Sequence, residues 1–90
     1  MSRELPEAEL LAIVRRYLAD DLRRNVAEIA DDGSLLEAGA IDSVGVLELV
    51  ALLEQRHGIT ISDEELVPEH FETIRAIATF VAEKRHVHGH

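Results

Sequence analysis

Three stretches of this chain repeat apolar residues at steps of three and four, and that spacing restricts what the chain can become. Leu11, Val14, Leu18 and Leu22 make the first series, flanked by Leu10, Ile13 and Tyr17. Val46, Leu49, Val50 and Leu53 make the second, and Ile74, Ile77, Ala78 and Val81 the third. Each series lines one face of an α-helix and would fall on both faces of a strand. The only large rings are Tyr17, Phe71 and Phe80, so such helices must meet through Leu, Ile, Val and Ala. The spacing predicts an all-α fold.

Punctuation residues divide the helices. Pro6 with Glu7 and Glu9 suits a helix start, since proline fits the first turn and acids complement the dipole. That first helix is expected to fade near Arg23 to Asn25. A long connection follows from about Val26 to Asp42, broken by Asp31-Asp32-Gly33 and Gly39 and pinned by Leu35, Leu36 and Ile41. The second helix is expected from Ser43 to His57, with Gly58 as its stop. Ser62-Asp63-Glu64-Glu65 has capping-box spacing, and Pro68 is expected to end the short helix it opens. Thr73 caps the last helix. The expected architecture is a four-helix bundle, three main helices plus a short third, with a long loop between helices one and two. It is one domain over 1–85, with 86–90 a disordered tail.

Composition removes several function classes. Eighteen acidic against nine basic residues leave a net charge of −9, which argues against nucleic acid and anionic membranes. Cysteine is absent, so the chain has no disulfide, thiolate metal site or thiol of its own. The longest apolar runs, Leu10 to Val14 and Leu49 to Leu53, are far too short to span a bilayer. With no apolar signal region at the N-terminus, cytoplasmic residence is expected. His86, His88 and His90 alternate near the end, but in a Gly-containing tail rather than a metal-binding spacing. Glu28, Asp31 and Asp32 lack calcium-loop spacing. No metal site is expected. Nor does any nucleophile–base set, paired carboxylate or phosphate loop appear, so the expectation is a protein without catalytic apparatus.

One short segment stands apart. In Gly39-Ala40-Ile41-Asp42-Ser43-Val44-Gly45 a lone hydroxyl sits where a loop becomes an apolar helix. Helix N-termini carry unpaired N–H groups and the positive end of the dipole, so a phosphate ester on Ser43 would be favoured there. No His, Lys or Cys lies within several residues to act as a base. The serine thus reads as an attachment point rather than a nucleophile. The competing reading is that Asp42 and Ser43 only cap the helix.

The segment from Ser34 to Val50 resembles the acyl carrier protein, or phosphopantetheine-binding, family. Ile59 to Leu66 resembles that family's approach to its third helix, and Phe71-Glu72-Thr73-Ile74 its approach to the last. The resemblance spans about Leu10 to Val81. It implies that Ser43 is esterified with 4′-phosphopantetheine, and that Asp42 both caps the helix and matters to the phosphopantetheinyl transferase. Val44 replaces the usual Leu or Met, and Gly45 stands where carriers of fatty-acid synthesis usually have Asp. With a Gly39 to Ser43 spacing one residue longer than theirs, the chain looks more like D-alanyl and other stand-alone carriers.

At about 100° per residue, Val44, Leu47 and Ala51, with Glu48 among them, fall opposite the Val46, Leu49, Val50, Leu53 face. These four residues are the expected partner-docking strip, unless the long loop covers them. The resemblance implies a non-catalytic, monomeric carrier of acyl or aminoacyl thioesters. Its implied partners are the transferase, an acyl- or aminoacyl-activating ligase, and downstream acyltransferase or synthase enzymes. The alternative is a helical interaction module that is never modified.

Overall fold

A computed structural model describes residues 5–88. Helix α1 runs over Glu7–Arg16 and continues as a π-helical turn over Tyr17–Asp21. Helix α2 is Ser43–His57, a 3-10 turn covers Asp63–Glu65, α3 is Pro68–Phe71 and α4 is Ile74–His88. No strand occurs among the described residues. α1 packs against α4, α3 against α4, and α2 against the π-helical turn.

The Pro6 carbonyl opens α1 by accepting the Glu9 and Leu10 N–H groups, both at 3.0 Å. The helix closes earlier than the Arg23 to Asn25 expectation. Leu22 donates back to the Tyr17 carbonyl, and Arg23 turns left-handed at φ 59°. Its core face is Leu10, Val14, Tyr17 and Leu18, whereas Leu11 and Leu22 are only half-buried. The stripe therefore lies rotated from the expected one.

The connection between α1 and α2 is held at many points. Val26, Leu35, Ala40 and Ile41 are buried in the core. Leu35 N–H donates to the Glu72 carbonyl at 2.7 Å and Arg75 N–H to the Asp31 carbonyl at 2.9 Å, tying the loop to the α3–α4 junction. Arg15 reaches the Val26 carbonyl and Asp31, both at 2.7 Å. Arg75 binds Asp32 at 2.7 Å and Glu7 at 3.0 Å. Leu36 departs from expectation: it is exposed and does not pin the loop.

On α2, Leu49, Val50 and Leu53 are buried as expected, but Val46 is only half-buried. Gly45 takes the buried position one turn before Leu49. A glycine contributes nothing to a hydropathy pattern, so the pattern favoured its neighbour. Gly58 closes the helix in the left-handed region at φ 64°, where a side chain would be strained.

Glu65 binds Ser62 through both its N–H and its hydroxyl, and Lys84 clamps the same carboxylate at 3.0 Å. These contacts, the Ser62 N–H foremost, hold the Glu65 carboxyl below its ordinary pKa. Pro68 does not end this turn. It occupies the first position of α3, where its missing N–H has no helical partner to lose. Phe71 on α3 meets Phe80 edge-on at 5.5 Å, and His70 stacks on the same ring at 4.4 Å. The Thr73 hydroxyl accepts the Ala76 N–H at 2.9 Å at the start of α4, whose Ile74, Ile77, Ala78 and Val81 all face the core. The helix runs on through 86–88, part of the expected tail, and residues 89–90 lie outside the described residues.

Candidate functional site

The start of α2 assigns separate work to two adjacent residues. Asp42 has extended backbone, and its Oδ1 accepts the Gly45 N–H at 2.7 Å. Its carbonyl accepts the Val46 N–H at 2.8 Å, the first turn of the helix. The N-cap role thus belongs to Asp42. Ser43 is the first helical residue; it is exposed, and its hydroxyl has no hydrogen-bond partner among the described residues. Among the described residues no histidine, lysine or carboxylate is hydrogen-bonded to it to take its proton. The group is available to a second protein's chemistry and is not activated by its own.

Around Ser43 the surface is unusually apolar. Val44 is 63% exposed, Leu47 59% and Leu36 45%, and these are the large hydrophobics exposed among the described residues. Leu47 and Val46, with Leu36 from the loop, form one side of a groove of about 340 Å³ that opens beside Ser43. Leu66, Val67, Pro68 and Phe71 form the other. Ala51 is exposed one turn beyond Leu47, and the loop does not cover these side chains.

Glu48 is exposed too, but it is not alone. Arg24, on the loop just past α1, brings its Nη2 to 3.6 Å from Glu48 Oε1 and 3.5 Å from Asp42 Oδ1. The expectation placed Arg24 only where the first helix fades, without this bridge. The available signal was Gly45, since a glycine inside an apolar helix weakens it and so points to a packing reason. A Cβ at 45 would lie 3.0 Å from Arg24 Nη2 and 2.9 Å from Ile41 Cγ1.

The opposite end of α2 is closed. His57 lies 3.0 Å from the Tyr17 hydroxyl through Nε2 and 3.0 Å from Arg85 through Nδ1. Arginine only donates, so Nδ1 is the acceptor and Nε2 carries the proton toward Tyr17. Burial first, then Arg85 and Arg56, lowers the His57 pKa. Burial likewise raises the Tyr17 pKa. No group of three His, Asp or Glu able to hold a metal ion occurs among the described residues. No helix is long and apolar enough to cross a membrane among them either.

The family described as "phosphopantetheine attachment site" matches residues 12–81, a span that begins within α1 and ends within α4. The D-alanyl carrier protein of Streptococcus suis is 35% identical over 77 residues, 86% of this chain and 91% of its own. The polyketide-8 synthase acyl carrier protein 2 of Streptomyces avermitilis is 33% identical over 66 residues, 69% of this chain and 76% of its own. The solved structure of KstB-PCP(apo) superposes with a TM-score of 0.70 at 34% identity, covering 87% of this chain and 88% of that one. An exposed, unpartnered hydroxyl at a helix start fits the group this family bears. The chain belongs to the phosphopantetheine-attachment family, the carrier proteins that hold acyl or aminoacyl groups on a covalently attached 4′-phosphopantetheine.

Proposed function

We propose that Ser43 is the attachment residue and that this chain delivers acyl or aminoacyl thioesters to partner enzymes without catalysing a reaction itself. The observation that carries the reading is the division between Asp42 and Ser43. The aspartate accepts the Gly45 N–H, so the serine hydroxyl is not consumed by capping. Its phosphodiester would sit at the positive end of α2, where the first N–H groups have no helical partner. When bound, the group supplies a thiol on a flexible arm that holds the cargo.

The chain's own residues do the rest. Asp42 fixes the first turn and with it the direction in which Ser43 leaves the surface. Val44, Leu47 and Ala51, with Glu48 at their edge, form the docking strip beside the attachment point. Tethering raises the effective concentration of cargo at a docked active site, so each docking can be weak and brief. The partners are a phosphopantetheinyl transferase, a ligase that activates an acyl or amino acid, and an acyltransferase or synthase that removes the cargo. Similarity to both a D-alanyl and a polyketide carrier supports an acyl or aminoacyl cargo of either kind. The reading further takes residues 1–85 as one domain, monomeric and cytoplasmic. An unmodified interaction module would leave the hydroxyl at Ser43 without a role.

Intact mass after incubation with coenzyme A and a broad-specificity transferase tests the proposal. The expected result is a gain of one phosphopantetheine, mapped to the peptide containing Ser43. A chain that stays unmodified, or gains the group on Ser34 or Ser62, contradicts it.

A further inference from the structure

Helix α2 turns every one of its charged side chains back on the chain. Glu48 faces Arg24 at 3.6 Å, Glu54 accepts the Ile61 N–H at 2.8 Å, and Arg56 faces Asp21 at 3.1 Å. His57 is held between Tyr17 and Arg85, 3.0 Å from each. Asp42, just before the helix, shares the Arg24 guanidinium at 3.5 Å. The chain carries a net charge of −9, yet the helix that bears Ser43 has no acid in its first turn and no carboxylate without an internal partner. Beside this paired Glu48, its exposed large side chains at the Ser43 end are apolar: Val44 at 63% and Leu47 at 59% exposure.

Arg24 is built into this arrangement. Gly45 leaves the space through which the guanidinium reaches both carboxylates, since a Cβ there would come within 3.0 Å of Arg24 Nη2. The Arg24 side chain is 27% exposed, against 66% for Asp42 and 57% for Glu48. The cation therefore sits beneath the two acids and subtracts one charge from the surface a partner meets. Charge across an interface chiefly sets encounter rate and partner choice, whereas a desolvated apolar contact supplies the affinity.

We propose that Arg24 is a specificity residue that masks the acidic pair Asp42 and Glu48, so that the Ser43 face accepts enzymes docking through apolar side chains and disfavours those docking through lysine and arginine. The proposal rests on the carrier reading of Ser43. Its occupant is a partner enzyme with a hydrophobic contact surface for Val44 and Leu47 and no basic cluster opposite Asp42 and Glu48.

Loading kinetics with two transferases test it, one with an apolar carrier-binding surface and one with a lysine- and arginine-lined surface. With the apolar enzyme, KM for this chain changes less than about twofold between about 20 mM and about 300 mM NaCl. With the basic enzyme, R24Q lowers KM about fivefold at the lower salt, loses that advantage at the higher salt, and leaves kcat unmoved. E48Q, at an exposed position, shifts KM the opposite way and decides the matter should R24Q fail to fold. Unaltered KM values for R24Q and E48Q with the basic enzyme at low salt, while loading proceeds, overturn the masking role and leave the carrier reading intact. Failure of both enzymes to load the unmutated chain removes the carrier reading, and this proposal with it.

Discussion

The two ends of α2 are built from the same helix to opposite purposes. At the C-terminal end Gly58 closes the backbone, Arg56 lies over the Tyr17 ring at 5.6 Å, and His57 is hydrogen-bonded on both ring nitrogens. At the N-terminal end Asp42 satisfies the backbone and Arg24 pairs with Asp42 and Glu48, while the side chains of Ser43, Val44 and Leu47 face outward. One end fastens the helix to the π-helical turn after α1 and to α4; the other leaves the Ser43 hydroxyl and an apolar strip exposed. A surface with so little invested in the fold can be modified or docked without disturbing it. The separation of fold from function along one helix is therefore open to measurement.

The largest effect belongs to the core that both ends share. Leu49 is fully buried, so Leu49→Ala should cost about 2–5 kcal/mol in denaturant melts through lost transfer energy and the cavity left behind. Next comes Asp42→Ala, expected to cost about 0.5–2 kcal/mol because the Gly45 N–H loses its acceptor. A smaller cost would mean that the N-terminal end is satisfied by some other group.

The closed end should show itself in pH dependence. The His57 pKa is depressed in the folded state from its ordinary 6.5, so the unfolded chain takes up the proton first. Its contribution is present above about pH 6.5 and is lost as the pH falls below that value toward the folded pKa. The melting temperature should drop between about pH 7.5 and about pH 5.5, and drop less in His57→Asn. Equal drops would remove His57 from the fastening.

Leu47→Glu is expected to have the smallest effect on stability, within about 0.5 kcal/mol, since Leu47 is exposed. The same change places an uncompensated charge in the proposed docking contact, so transfer by partner enzymes should fall sharply while helical circular dichroism is retained. Loss of the helical signal would instead make Leu47 part of the core.

Local pattern carried most of the fold. The Ile74, Ile77, Ala78, Val81 stripe is fully internal, and Asp42 with Gly58 marks both ends of α2, because periodicity and capping are properties of neighbouring residues. Pro68 departs from expectation because proline both stops one helix and suits the first position of the next; which applies depends on whether Phe71 finds a core to enter. On α2 only the first position of the expected face differs, Gly45 in place of Val46, because a glycine is invisible to hydropathy. At the site, Asp42 and Ser43 were legible as a motif. Arg24 was not, since a contact between residues 24 and 48 depends on where a long loop lies.

The most direct test of the central claim joins mass spectrometry and melting on one variant, Ser43→Ala. Asp42 remains to cap α2, so its stability should stay within about 0.5 kcal/mol of the unmutated chain. Incubated with coenzyme A and transferase, it should gain no phosphopantetheine while the unmutated chain gains one. An alanine variant that is still modified, or that loses as much stability as Asp42→Ala, would contradict the account.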